Sequence, residues 1–165
     1  MYKARALTLT TVLILTLVAC GEPPALLENG QPAPAFSLSD LDGETLRFPE
    51  DLAGQVVAVR FWADWCPFCA PEMREIEPVY RALRDRGLRV LAVNVRQDRE
   101  TAARFIAKLD ISYDILLDSE GTLARAYGVT GLPTTYFIDR EGRLATRILG
   151  ETAPGLFERV ALNLL

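Results

Sequence analysis

Hydrophobic and polar residues follow one another along this chain with periods that predict both strands and helices. The runs Val56–Trp62 and Leu88–Val95 are almost continuously apolar, which is typical of strands buried on both faces of a partly parallel sheet. Between them the spacing of apolar residues is helical over residues 67–86, and Gly87 supplies a stop signal. The pattern therefore predicts a strand, helix, strand unit at the centre of the fold.

Shorter patterns on both sides of this unit complete a single α/β domain. An alternation over residues 36–38, followed by Asp42-Gly43 and the run Thr45–Phe48, predicts an opening hairpin. The order of the predicted elements is hairpin, βαβαβα, hairpin and helix, which favours a mixed central sheet with helices on both faces. The later elements are a helix over residues 99–109, a strand over 115–117, a short helix over 122–127, strands Thr134–Ile138 and Leu144–Leu149, and a last helix starting at Pro154.

The first 19 residues have the pattern of an export signal. Lys3 and Arg5 precede an apolar run over residues 6–18, which is shorter than the roughly 20 residues of a membrane-spanning helix. The run ends in Leu17-Val18-Ala19-Cys20, which resembles a lipobox and implies that Cys20 carries a lipid and becomes the N-terminus. The alternative is a chance cysteine at the end of an ordinary signal peptide or of an uncleaved anchor.

These patterns divide the chain into three segments. We expect a lipoprotein signal peptide at residues 1–19, a lipidated N-terminus and tether at residues 20–34, and the α/β domain at residues 35–165. The domain is then exported and anchored to a bacterial membrane by lipid on Cys20, in a periplasmic or extracytoplasmic location.

Composition excludes several classes of function. The formal net charge is -4, and the basic residues are spread along the chain, so we expect no nucleic-acid partner. Histidine is absent, which removes the commonest metal ligand and the commonest general base. We therefore expect no metal and no cofactor, and look for chemistry in sulfur, carboxylate or backbone groups.

The strongest chemical signal is the pair Cys66 and Cys69. It falls where a buried strand turns into a helix, and the spacing of three places both sulfurs on the first helical turn. Backbone N–H groups and the helix dipole at that terminus favour a thiolate, so Cys66 is the predicted nucleophile. Cys69, one turn further into the helix, would attack the mixed disulfide and resolve it.

Two other interpretations fit the cysteine pair less well. One is half of a zinc site, but zinc requires four ligands, and the only other cysteine of the sequence, Cys20, is the predicted lipid carrier. A purely structural disulfide is the other, but a loop closed over three residues constrains little of the unfolded chain. Trp65 beside Cys66 is read as a packing residue or as part of the contact with a partner.

At these residues the sequence resembles the thioredoxin superfamily, and within it the exported, membrane-tethered TlpA and ResA type of thiol-disulfide oxidoreductase. The stretch 59–69 is similar to the active-site strand and turn of that family, and Gly131-Leu132-Pro133-Thr134-Thr135 is similar to its cis-proline loop. The helical unit between Val95 and Tyr113 resembles the insertion of this subgroup. The resemblance implies a thioredoxin-like fold.

The resemblance also implies roles for several residues near the cysteines. Pro133 would follow a cis peptide bond and expose the backbone of Leu132 to a substrate strand, with Trp65, Pro67 and Phe68 completing the substrate-binding surface. Glu72 matches a buried glutamate that serves some members as an acid or base, although an exposed acidic residue early in the helix is equally compatible with the pattern.

The sequence departs from plain thioredoxins at Arg60, on the predicted active-site strand. Plain thioredoxins carry a buried aspartate where this chain has Arg60, so their proton relay is not carried over.

The implied function is reduction of disulfides in exported proteins, with the haem-attachment cysteines of apocytochrome c as one candidate substrate. Exported protein thiols and disulfides would be the substrates, and a membrane thiol-disulfide transporter would be the electron donor. The alternatives are a disulfide oxidase or isomerase on the same scaffold, a peroxiredoxin-like peroxidase, whose opening resembles residues 31–36, and a copper metallochaperone of the thioredoxin-like type. The missing peroxidatic motif disfavours the peroxidase, and the close cysteine spacing without histidine disfavours the metallochaperone.

Overall fold

A computed structural model describes residues 27–152 and 155–165 of the chain. The predicted signal peptide, Cys20 and most of the predicted tether lie outside the described residues, as does Pro154 at the predicted start of the last helix. Among the described residues no helix is both long enough and apolar enough to cross a membrane.

Seven strands and four α-helices make up the part of the chain that the structure describes. The strands are β1 (Phe36–Ser39), β2 (Thr45–Phe48), β3 (Val56–Trp62), β4 (Leu88–Val95), β5 (Asp114–Asp118), β6 (Thr134–Ile138) and β7 (Leu144–Leu149), and the helices are α1 (Cys69–Leu83), α2 (Arg99–Ile106), α3 (Thr122–Ala126) and α4 (Leu156–Leu164). Short 3-10 turns cover Glu50–Leu52 and Arg84–Arg86.

The central sheet is mixed and has the strand order β5-β4-β3-β6-β7. Strands β3, β4 and β5 run parallel, whereas β6 is antiparallel to β3 and β7 is antiparallel to β6. The hairpin of β1 and β2 forms a separate two-stranded sheet at the start of the domain. The predicted α/β class, the mixed sheet and the N-terminal hairpin are confirmed.

Strand β3 lies at the centre of the core, and all seven of its residues are buried. Because successive side chains of a strand point to opposite faces, Val56, Ala58 and Trp62 join one apolar cluster and Val57, Val59 and Phe61 join a second. The first cluster includes residues of α1, α2 and α4, and the second includes residues of α3. The predicted coverage of both faces is confirmed.

Several helix boundaries differ from the prediction, among them those of α1 and α2. Helix α1 begins at Cys69 rather than Pro67, because the N–H of Cys69 donates to the carbonyl of Cys66 in a tight turn. Helix α2 ends at Ile106 rather than Leu109, where the chain tightens to bonds between residues three apart, such as Leu109 N–H to the carbonyl of Ile106.

Part of the predicted tether lies against the domain. The N–H of Gly30 donates to the carbonyl of Leu144, and the N–H of Leu144 donates in turn to the carbonyl of Gln31. Ala33 is buried and donates its N–H to the carbonyl of Gly142. Residues 30–33 therefore extend the sheet edge beside β7.

Candidate active site

Cys66 and Cys69 are joined by a disulfide at the junction of β3 and α1. Their Cα atoms are 5.4 Å apart, and both side chains are buried. The turn is closed by the N–H of Cys66 donating to the carbonyl of Ala63 at 3.2 Å. Cys66 precedes the first turn of α1, and Cys69 is its first residue.

The N-terminus of α1 favours negative charge on sulfur. Phe68 is the cap residue, and it makes no side-chain hydrogen bond to the first turn. A helix terminus without a side-chain cap keeps the positive end of the helix dipole available, which stabilises a thiolate at the residue that faces it. In the reduced protein, Cys66 is in the position that benefits most from this field.

The turn presents an apolar rim to solvent. Trp65 is 68% exposed and Phe68 is 47% exposed, and Pro67 between them is exposed as well. The other tryptophan, Trp62, is fully buried and stacks on Phe105 with ring centroids 4.9 Å apart. Packing therefore accounts for Trp62, whereas Trp65 and Phe68 are available to a partner.

The loop before β6 lies beside the end of β3, because Phe61 pairs with Thr134 in the sheet. The peptide bond between Leu132 and Pro133 is cis, as the resemblance implies. Pro133 is buried and its carbonyl accepts a hydrogen bond from Gly150 N–H at 2.9 Å. Within the described residues, neither the N–H nor the C=O of Leu132 has a hydrogen-bond partner, which leaves both groups available to an added strand.

Glu72 is buried, so the alternative of an exposed acidic residue is wrong. One carboxylate oxygen accepts a hydrogen bond from Arg60 Nη2 at 2.6 Å, and the other accepts one from the N–H of Thr152. Arg60 is fully buried on β3 and also donates from Nη1 to Thr135 Oγ1 at 3.1 Å. Because Glu72 follows Cys69 by three residues on α1, the ion pair lies on the same side of the helix as that cysteine.

Sequence reasoning missed the role of Arg60 in this pair. It treated the arginine as a departure from the thioredoxin pattern and proposed no partner for it. A cation inside a strand predicted to be buried on both faces requires a counter-charge, and Glu72 on the following helix is the carboxylate that supplies it.

A second polar cluster, also missed, fixes the loop that leads into the cysteine turn. Gln97 Oε1 accepts hydrogen bonds from the N–H of Asp64 and from Asn94 Nδ2, each at 2.9 Å. Gln97 Nε2 donates to the carboxylate of Asp64. The ends of β3 and β4 are thereby tied together two residues before Cys66.

Comparisons with known proteins agree with this geometry. A family model described as the AhpC/TSA family matches residues 29–147. The thiol-disulfide oxidoreductase ResA of Geobacillus thermodenitrificans is 33% identical over 156 residues, covering 90% of this chain and 89% of that protein.

Two solved structures extend the similarity to the fold. A Chlorobium tepidum protein assigned as the thiol:disulfide interchange protein DsbE has a TM-score of 0.78 at 29% identity, covering 84% of this chain and 99% of its own. A thiol:disulfide interchange protein of the thioredoxin family from Chlorobium tepidum TLS has a TM-score of 0.74 at 25% identity, covering 85% and 99%. The residues matched by the family model include the cysteine turn and the Pro133 loop.

Proposed function

This chain belongs to the AhpC/TSA family and is a thiol-disulfide oxidoreductase of thioredoxin-like fold, and we propose that it reduces disulfides of exported proteins through Cys66 and Cys69. The observation that carries the proposal is the disulfide at the uncapped start of α1. The Leu132-Pro133 loop, whose backbone is free to pair with a substrate strand, lies at the end of the adjacent strand.

The reaction proceeds by two thiol-disulfide exchanges. The Cys66 thiolate attacks one sulfur of a substrate disulfide, which forms a mixed disulfide and releases the other substrate sulfur as a thiolate that takes up a proton. The Cys69 thiolate then attacks the Cys66 sulfur, which releases the second substrate thiol and closes the Cys66–Cys69 disulfide. The substrate gains two electrons and two protons, and the two cysteines of the enzyme lose them.

The surroundings of the pair hold the substrate during this exchange. An extended substrate segment pairs with the backbone of Leu132, in the manner of a strand added to a sheet edge. Trp65, Pro67 and Phe68 contact the residues that flank the substrate cysteine. The Arg60–Glu72 ion pair lies on the side of α1 that also carries Cys69, whose side chain belongs to the buried apolar cluster.

The dipeptide between the cysteines supports reduction rather than oxidation. Pro67 and Phe68 offer no charged or hydrogen-bonding side chain that would strongly stabilise a thiolate, and strong oxidants of this class owe their potential to a stabilised reduced form. Apocytochrome c, whose haem-attachment cysteines must be reduced, is the substrate that the resemblance suggests.

The location follows from the N-terminal sequence. Lipid on Cys20 anchors the domain to a bacterial membrane at the periplasmic or extracytoplasmic face, after removal of residues 1–19. A membrane thiol-disulfide transporter then returns the two electrons to the oxidised Cys66–Cys69 pair.

Trapping of the mixed disulfide tests the proposal. Reduced Cys69→Ser protein should accumulate a covalent adduct with a disulfide-containing substrate protein such as insulin, and dithiothreitol should release it. The matched Cys66→Ser variant should form almost none, because Cys69 is 0% exposed within α1, whereas Cys66 is 2% exposed and precedes the helix beside the exposed rim. Adduct formation that is equal in the two variants would refute the assigned roles, and rapid consumption of peroxide would favour a peroxidase.

A further inference from the structure

A cleft of about 300 Å³ opens beside the cysteine turn. Trp65 and Leu132 form an apolar wall of this cleft, and Arg96 and Arg125 also line it. Its volume is at the low end for ligand sites, which suits one or two side chains of a polypeptide better than a large cofactor. The cleft therefore continues the substrate-binding surface on the side of the Pro133 loop.

The charged side chains that line the cleft are positive, although the net charge of the whole chain is negative. No aspartate or glutamate is among the residues that line it, whereas the whole chain has a net charge of -4. Within the described residues, neither Arg96 nor Arg125 forms an ion pair. Arg125 donates only to neutral acceptors, the carbonyl of Glu120 at 2.8 Å and Thr122 Oγ1 at 3.1 Å.

The backbone holds Arg96 in its place beside the cleft. Arg96 has a φ of 56°, in the left-handed region, and its N–H donates to the carbonyl of Asp118 at 3.0 Å. Its side chain lies across Gly121, where an added Cβ would come within 2.7 Å of Arg96 Nε. The absence of a side chain at Gly121 thus leaves room for the Arg96 side chain beside the cleft.

We propose that this cleft binds an acidic side chain of the substrate polypeptide, so that the enzyme prefers disulfides whose cysteine is flanked by aspartate or glutamate. The inference rests on the proposed function, since it names the substrate class of the same site. Arg96 and Arg125 supply the uncompensated positive charge, and Trp65 with Leu132 packs against the apolar part of the same substrate segment. An acidic segment complements both features of the cleft.

Two synthetic peptides with the same intramolecular disulfide test the proposal, one with aspartate and one with asparagine beside the cysteine. The full chain is reduced, and the rate constant for its oxidation by each peptide is measured at low ionic strength. We expect the aspartate peptide to react about five- to tenfold faster, because two partly exposed ion pairs each contribute a few-fold effect. The preference should shrink as salt is added.

Two variants distinguish the effect of positive charge in the cleft from the effect of positive charge elsewhere on the surface. Arg96→Gln/Arg125→Gln should lose the preference, so that the rate constants for the two peptides become equal, and circular dichroism of the variant reports that it is folded. Arg86→Gln removes the same kind of charge in the turn before β4, at the other end of the sheet, and should keep the preference.

The outcomes distinguish this inference from the proposed function. Equal rates for the two peptides in the wild-type protein, or a preference that persists in the double variant, would overturn the acidic-substrate inference and leave the reductase activity standing. If neither peptide oxidises the reduced protein, the proposed function fails and the role of the cleft fails with it.

Discussion

The buried ion pair between Arg60 and Glu72 leads to a quantitative prediction about stability. The nitrogen and oxygen are 2.6 Å apart, and the side chains are 0% and 6% exposed. Removing one member of such a pair leaves an uncompensated buried charge, which costs about 3–5 kcal/mol. Since the free energy of unfolding of a domain is about 5–15 kcal/mol, Arg60→Met should remove a large part of it.

A double-mutant cycle separates the charge from the packing. Arg60→Met/Glu72→Leu removes both charges and retains apolar volume, so it should be more stable than Arg60→Met alone, with a coupling energy of about 2–4 kcal/mol. Urea unfolding of the oxidised protein at pH 7, followed by circular dichroism, gives the four free energies.

An exposed pair of similar geometry is the control. Arg104 and Glu100 are 2.5 Å apart, but their side chains are 61% and 82% exposed. The corresponding cycle at this surface pair should show almost no coupling, because solvent screens both charges. The reasoning is refuted if Arg60→Met lowers the free energy of unfolding by less than about 1 kcal/mol, or if the buried and exposed cycles give the same coupling energy. Either result would mean that burial of the charges does not determine how much the Arg60–Glu72 pair contributes to stability.

Three further predictions concern the surroundings of the site. Burial alone would raise the pKa of Glu77, but hydrogen bonds from Ser112 and Arg81 outweigh it and hold the pKa below the ordinary value of 4.5. The carboxylate therefore stabilises the fold above about pH 4.5 and loses this effect as the pH falls, so Ser112→Ala should be less stable than wild type at pH 7 and approach it at low pH in urea unfolding. Met73→Ala should lower the free energy of unfolding by about 2–5 kcal/mol in the same assay, because removal of this fully buried side chain leaves a cavity. A decrease below about 1 kcal/mol would contradict close packing around Met73. Trp65→Ala should change the free energy of unfolding by less than about 0.5 kcal/mol, because the ring is largely exposed. The same variant should reduce insulin more slowly than wild type, with a smaller effect on reduction of a small aliphatic disulfide. Equal slowing with both substrates would argue against contact between Trp65 and a protein substrate.

The strands were predictable where the local pattern is strong. Residues Val56–Trp62 and Leu88–Val95 have the bounds that their apolar runs predict, because a strand buried on both faces leaves a continuous signature. The cysteine turn was predictable for a related reason, since a two-residue gap at a strand-to-helix junction limits where the sulfurs can lie. The cis bond before Pro133 came from the family resemblance, since local sequence alone does not specify it.

Contacts between distant residues were not predictable in this way. Arg60 and Glu72 are paired across β3 and α1, and the choice between an exposed and a buried Glu72 depended on which face of the helix meets the sheet. The packing of residues 30–33 beside β7 joins segments more than 100 residues apart, and a stretch rich in proline and glycine has no period that reveals it. The Gln97 cluster likewise depends on the register of β3 against β4.

The equilibrium reduction potential of the Cys66 and Cys69 couple, titrated against a dithiothreitol or glutathione series, tests the central claim most directly. The proposed reductase should show a single two-electron couple near the potential of thioredoxin, about -270 mV, and a Cys66→Ala/Cys69→Ala variant should show none. A couple near about -120 mV would contradict the reductive direction, and the absence of any titrating dithiol in the wild-type protein would contradict thiol-disulfide chemistry at this site altogether.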